Sequence, residues 1–178
     1  MLGRDEIRAA LAALDDELAG SPVKASIFVV GGAAMAIAYD ARRSTVDVDA
    51  VFAPTREVRE AAHRVAERLG LSDDWINDGA KAFLPGDDPD RITVDEGRNV
   101  QVAAASPRYL LAMKLLSRVE RDQDDIRTLY RLCGFTTAEE GLQVVEEAYP
   151  TYTIPPRTRY LLEEMFPGHD IRGPALEL

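Results

Sequence analysis

The stretch that most constrains this chain is residues 28–52, FVVGGAAMAIAYDARRSTVDVDAVF. An apolar run meets a double glycine, a small-residue segment follows, and a second apolar run carries aspartates at alternate positions. Residues 26–30 are continuously apolar, as in a short buried strand, and residues 33–39 suit a helix able to pack close to a sheet. In a strand, residues two apart share a face, so Asp47 and Asp49 project side by side from a strand over 46–52. Val46, Val48, Ala50 and Phe52 then face the core. Two carboxylates held together among Val and Ala repel each other at a cost unless a cation lies between them. Mg²⁺ (or Mn²⁺) carried by a nucleoside triphosphate meets that need, because hard cations take oxygen ligands from rigid elements. Gly31 and Gly32 fit the phosphates: a backbone without Cβ permits close approach, and a helix N-terminus favours anions. Taken singly, Gly-Gly is an ordinary tight turn and D-x-D an ordinary solvated strand face. Their conjunction within one short stretch favours a phosphate-and-metal site.

The rest of the chain supplies a frame. Ile7, Leu11, Leu14 and Leu18 form one apolar stripe over 4–19, hence an amphipathic helix ended by Gly20-Ser21-Pro22. Val58, Ala62, Val65 and Leu69 make a second stripe after Pro54-Thr55, stopped at Gly70. On that helix His63 is expected to be an exposed histidine rather than a metal ligand. Residues 71–84 break periodicity, although Trp75, Ile76 and Phe83 call for burial. Residues 85–90 (PGDDPD) form a turn-rich loop, and 91–94 with 99–104 flank a turn at 95–98 as a hairpin. Ser106-Pro107 is a helix start. The segment from there to Leu132 is either one long helix with a wet face or two helices meeting near Arg121. Thr137 to Glu140 fits a capping box. Pro150, Pro155 and Pro156 precede a last amphipathic helix around 157–166, and an irregular tail follows.

With 178 residues, 46% of them hydrophobic, the chain can bury a good core. We expect an α+β architecture: a mixed sheet flanked by helices within 1–105, and a helical C-terminal part, 106–178, that completes the site. The single cysteine, Cys133, excludes an internal disulfide framework and reads as a small core residue. No signal peptide and no membrane-length apolar run is visible, so a cytoplasmic protein without membrane contact is expected. The net charge of −10 argues against extended contact with nucleic acid, though a local basic strip is compatible with it.

A second constellation lies in the C-terminal half. On one continuous helix Lys114, Arg118, Asp122 and Asp125 fall within about 80° of one another. Such a ladder is commonly a solvated face of i,i+4 pairs. Lys114, however, sits in the apolar run LLAMKLL. A lysine there either snorkels or serves a buried anion, and a compact cation suits a triphosphate or its leaving pyrophosphate. An aspartate beside it can hold the lysine in place or act on an acceptor hydroxyl.

Gly31-Gly32, the D-V-D at 47–49, then K-x7-D-x2-D (Lys114, Asp122, Asp125) together resemble the nucleotidyltransferase superfamily with its polymerase-beta-like fold. The nearest likeness is to its toxin-type branch from bacterial abortive-infection and toxin–antitoxin operons, including the mycobacterial tRNA-modifying toxins. The R-D-x-x-D-I run at 121–126 is the most particular part, and the likeness spans roughly residues 26–132. The resemblance implies that Gly31 and Gly32 bind the phosphates of an NTP. It implies that Asp47 and Asp49 hold the metal, and that Lys114 with either Asp122 or Asp125 completes the site. It also implies an acceptor, tRNA or else a small molecule or protein, and a cognate antitoxin as partner. Arg42, Arg43 and Arg118, with Arg108 and Arg121, are the candidate acceptor contacts.

Two departures stand out. The family's common Gly-Ser is here Gly31-Gly32, which removes a hydroxyl. Where many members carry a third carboxylate on a later strand, NVQVAA at 99–104 offers only Gln101, with Asp95 and Glu96 in the expected turn. The toxin branch often lacks that third acid. The same departures suit a non-catalytic nucleotide-binding or partner-binding module of the same fold.

Overall fold

The structure is a computed structural model and describes residues 1–22, 24–39, 44–117 and 122–167. The chain divides into two compact units, Met1–Ser106 and Pro107–Leu178.

The first unit is built on a five-stranded mixed sheet. Its strands are β1 (Ala25–Val29), β2 (Val48–Ala53), β3 (Ile76–Asn77), β4 (Ile92–Glu96) and β5 (Val100–Ala104), in the order β3-β2-β1-β5-β4. β1 runs antiparallel to β2 and parallel to β5, while β4 pairs antiparallel with β5 as the expected hairpin. Alternation decides the faces. Ala25, Ile27, Val29, Val48, Ala50, Phe52, Val100, Val102 and Ala104 are buried. The residues between them, among them Ser26, Phe28, Asp49, Val51, Gln101 and Ala103, are half-buried or exposed. This is the period-2 pattern of a sheet covered on one face.

Helices α1 (Arg4–Glu17), α2 (Gly31–Ala38) and α3 (Thr55–Leu69) belong to this unit. α1 packs on α2 and α3, and α2 packs on β2, β4 and β5. The stripe Ile7, Leu11, Leu14 and Leu18 is buried as its spacing predicts. Each such side chain contributes about 1.5–3 kcal/mol by leaving water. α3 ends at Gly70, whose φ of +66° is the left-handed cap that glycine adopts without strain. Two buried or half-buried carboxylates tie loops to the frame. Asp15 accepts from the Asn99 and Val100 amides at 2.8 and 2.7 Å, fixing the start of β5 to α1. Asp88 accepts from the Ser106 amide and hydroxyl at 2.7 and 2.9 Å, so the PGDDPD loop is fastened to the end of the strand layer.

The structure corrects several expectations. α2 begins at Gly31 itself, because the glycine pair forms the first turn rather than a loop before it. β2 starts at Val48, so Val46 lies outside it and is 74% exposed instead of facing the core. Phe83 is 69% exposed. It sits in a one-turn 3-10 helix (Gly79–Phe83) beside a two-residue edge strand, which offers no continuous apolar face. Asp95 and Glu96 belong to β4 rather than to the turn, with a register irregularity between Thr93 and Asp95. Leu69, at the last turn of α3, is 43% exposed.

The second unit contains α4 (Pro107–Leu116), α5 (Gln123–Cys133), α6 (Ala138–Ala148) and α7 (Pro156–Met165). Of the two alternatives for 107–132, separate helices are found. α4 packs on α5 and α6, and α6 on α7. Thr137 and Glu140 form the expected capping box, and Cys133 is the half-buried last residue of α5. The irregular tail lies almost wholly outside the described residues.

Candidate functional site

One candidate site, in the first unit, is at the C-terminal end of β1. Val30 donates its amide to the Asp49 carbonyl at 2.9 Å, so the chain leaves the sheet directly beside Asp49. Gly31 then takes a φ of +62° to enter α2, a conformation that favours glycine. Space gives a second reason. A Cβ at Gly31 would stand 3.2 Å from Asp49 Oδ2, and one at Gly32 would stand 3.1 Å from Thr45 Oγ1. The double glycine therefore keeps the approach to Asp49 clear while the first-turn amides of α2 have no partner within the helix.

Asp49 lies in β2 on the uncovered sheet face, and Asp47 sits in the bend just before that strand. The two carboxylates act on each other. Burial, then the charge of Asp47, pushes the Asp49 carboxyl above its ordinary value. Asn77, paired with Asp49 across β2 and β3, donates Nδ2 to Asp47 Oδ2 at 2.8 Å and accepts from the Gly79 amide at 3.0 Å. A carboxylate with one oxygen fixed this way keeps the other available. Among the described residues no lysine or arginine pairs with either aspartate, and no cluster of three or more His, Cys, Asp or Glu able to hold a metal is found. One oxygen donor on a strand and one in the bend just before it, mutually repelling, are a donor set that suits Mg²⁺ or Mn²⁺ completed by waters and phosphate oxygens. Gln101 lies exposed on β5, with Asp95 and Glu96 exposed on the edge strand.

Sequence reasoning missed Asn77 and Thr45. Asn77 was hidden in an aperiodic stretch, and only strand pairing brings it to Asp47. Thr45 is held by a two-residue bridge to Leu2, with amide–carbonyl distances of 2.6 and 2.9 Å. Its hydroxyl stands beside Gly32.

A separate charged cluster lies in the helical unit. The expected ladder along one helix is replaced by a junction between two. Lys114 is in the last turn of α4, Asp122 occupies the N-cap position of α5 without a side-chain capping bond, and Asp125 is in the first turn of α5. Lys114 Nζ is 2.8 Å from Asp125 Oδ2 and 3.3 Å from Asp122 Oδ1. The Lys114 and Asp125 side chains are only 12% and 6% exposed, so this is a nearly dry ion pair. The apolar context of Lys114 did signal burial; its partners lie on the next helix rather than along its own.

Arg42, Arg43, Arg118 and Arg121 lie outside the described residues. Arg108 pairs with Glu147 at 3.0 Å and sits 5.6 Å over the Phe135 ring, so its charge is engaged within its own unit. His63 is an exposed helical residue, 3.2 Å from Asp73 and 3.7 Å from Glu67. Among the described residues no helix is long and apolar enough to cross a membrane.

Comparison with known proteins bears on this geometry. Residues 9–140 match the family described as nucleotidyltransferase of unknown function (DUF6036), and the chain belongs to that family. No curated protein and no solved structure matches the chain.

Proposed function

We propose that this member of the family is a metal-dependent nucleotidyltransferase moving a nucleoside monophosphate from an NTP to an acceptor hydroxyl. The observation that carries this is the Asp47–Asp49 pair facing the cleared glycine turn. In this reading Gly31 and Gly32 receive the phosphates through backbone amides, and Thr45 offers the hydroxyl that Gly32 lacks. Asp47 and Asp49 hold Mg²⁺ (or Mn²⁺), with Asn77 fixing Asp47. The ion supplies charge neutralisation at the phosphates. The acceptor oxygen bonds to the α-phosphorus, the bond from that phosphorus to the bridging oxygen breaks, pyrophosphate leaves with the electron pair, and the hydroxyl proton passes to water. Lys114 serves as the cation for the phosphates, with Asp122 and Asp125 holding it.

The acceptor we favour is tRNA, as in the toxin-type branch, with a cognate antitoxin as partner and the cytoplasm as location. The K-x7-D-x2-D spacing and the missing third carboxylate support that branch. A second reading, transfer to a small molecule or protein, is favoured by the net charge of −10. A third, a non-catalytic module of the same fold, is favoured by the same missing acid.

The deciding experiment incubates the protein with each radiolabelled NTP, Mg²⁺ or Mn²⁺, and either total RNA or RNA-depleted lysate. Label in tRNA supports the first reading, label elsewhere the second, and no label in any fraction overturns transfer altogether. Arg42→Glu with Arg43→Glu is expected to remove RNA binding while sparing NTP binding. RNA affinity is expected to fall with salt at a slope reflecting about three to five phosphate contacts.

A further inference from the structure

The uncovered face of the sheet carries a cavity of about 360 Å³ that the site described above does not use. Its floor is one row of residues crossing four strands. Val51 on β2 pairs with Phe28 on β1, Phe28 with Ala103 on β5, and Ala103 with Thr93 on β4. Ser26, Gln101 and Arg91 also line it, as do Asp87 and Asp88 of the PGDDPD loop. Val51 is two residues beyond Asp49 on the same strand face, so the cavity begins about 6–7 Å from that carboxylate.

Direction along the strands gives the cavity its role. Gly31 follows Val30, which pairs with Asp49, so the glycine turn lies beyond Asp49 on the side away from Val51. Phosphates at the glycine turn place the leaving pyrophosphate at that end. Displacement at phosphorus runs in line, with entering and leaving oxygens on opposite sides. The entering hydroxyl therefore comes from the side on which the cavity opens.

The lining specifies what enters. Phe28, Val51 and Ala103 make an apolar floor for a flat ring, and bases stack on such surfaces regardless of sequence. The Gln101 amide both donates and accepts, as a base edge requires, and the Ser26 and Thr93 hydroxyls suit a ribose. The volume is at the small end of ligand pockets and admits one nucleoside rather than a duplex. We propose that this cavity is the acceptor pocket and that it binds a single nucleoside, free or at the 3′ end of an RNA strand, with its hydroxyl toward Asp49. This rests on the transferase reading above.

The test separates the two. Full-length protein without NTP is titrated with adenosine, guanosine, cytidine and uridine, and with RNA trinucleotides ending in a free 3′ hydroxyl, following amide shifts by NMR. At least one nucleoside is expected to shift Phe28, Val51, Thr93 and Gln101. Ala103→Leu, which fills the floor, should weaken that binding about tenfold or more. Ser26→Tyr, at an exposed strand position where folding is not at risk, should do the same. Mg-NTP affinity by calorimetry should stay unchanged in both. Trinucleotides shifting the same residues identify an RNA end as the source, and their failure to do so while nucleosides bind identifies a free nucleoside. The proposal is overturned if neither probe binds the wild type, if the two variants bind as well as wild type, or if Mg-NTP affinity falls in step with nucleoside affinity. That last result would assign the cavity to the base of the NTP. Nucleoside binding that depends on the cavity, with no labelled product from any NTP, would refute the transferase reading and leave the pocket standing.

Discussion

The two units hold carboxylates in opposite electrostatic conditions. In the helical unit Asp125 is buried against Lys114, and each charge answers the other. In the sheet unit the Asp49 carboxyl is raised by burial and then by the charge of Asp47. The first arrangement is complete as it stands; the second is finished only by a cation from outside. A buried acid with a built-in partner can serve the fold, whereas two acids set together without one in the described structure point to a ligand.

The largest effect should come from breaking the complete arrangement. Lys114→Met removes the Lys114 charge from buried Asp125, at an expected cost of about 3 kcal/mol in urea unfolding. Lys114→Met with Asp125→Asn should recover most of that stability. If Lys114 also serves the phosphates, the double variant stays inactive; recovery of turnover along with stability would make the cluster purely architectural.

Breaking the incomplete arrangement should cost binding rather than folding. Asp47→Asn with Asp49→Asn is expected to lower Mg-NTP affinity by calorimetry about 100-fold or more, beyond the loss typical of an outer partner. The melting temperature of the metal-free variant should not fall. Unchanged Mg-NTP affinity would show that the pair is not the metal site.

A subtler change sharpens the contrast by leaving both acids in place. Asn77→Ala frees Asp47 Oδ2 from its donor and should weaken Mn²⁺ binding, read by electron paramagnetic resonance, by about tenfold. An effect below twofold would mean that Asp47 is positioned by its backbone alone.

The smallest effect is in the pH dependence of the metal-free protein. With the folded-state value of Asp49 above its ordinary 3.8, the folded chain holds a proton that the unfolded chain has already released. Stability therefore falls as pH rises through that interval, and the full penalty remains above it. Asp49→Asn should flatten this part of the profile and raise stability at neutral pH, and Mg²⁺ should stabilise the wild type alone. A wild-type profile parallel to that of the variant would show that Asp49 carries no such penalty.

Much of this was legible in residue order, for local reasons. The α1 stripe, the Gly70 stop, the Ser106-Pro107 start and the Thr137–Glu140 box are each decided within a few residues of chain. Failures cluster where the partner is distant. Val46 looks like a strand residue until pairing begins at Val48, and Phe83 looks buried until the adjacent strand proves to be two residues long.

The site divides in the same way. Sequence alone singled out Asp47 and Asp49 by their two-residue spacing but put both on one strand. The structure leaves Asp47 in the bend before β2, and it is β1–β2 pairing that brings Asp49 beside Gly31. Sequence also determined that Lys114 is shielded, from its apolar neighbours. Only the tertiary structure decided that Lys114 meets Asp122 and Asp125 across two helices, that Asn77 donates to Asp47, and that Thr45 stands beside Gly32. The row Val51–Phe28–Ala103–Thr93 belongs there too. Each of these joins residues far apart in the chain through strand register or helix packing, and register is set by which faces the whole sheet can bury rather than by any one segment.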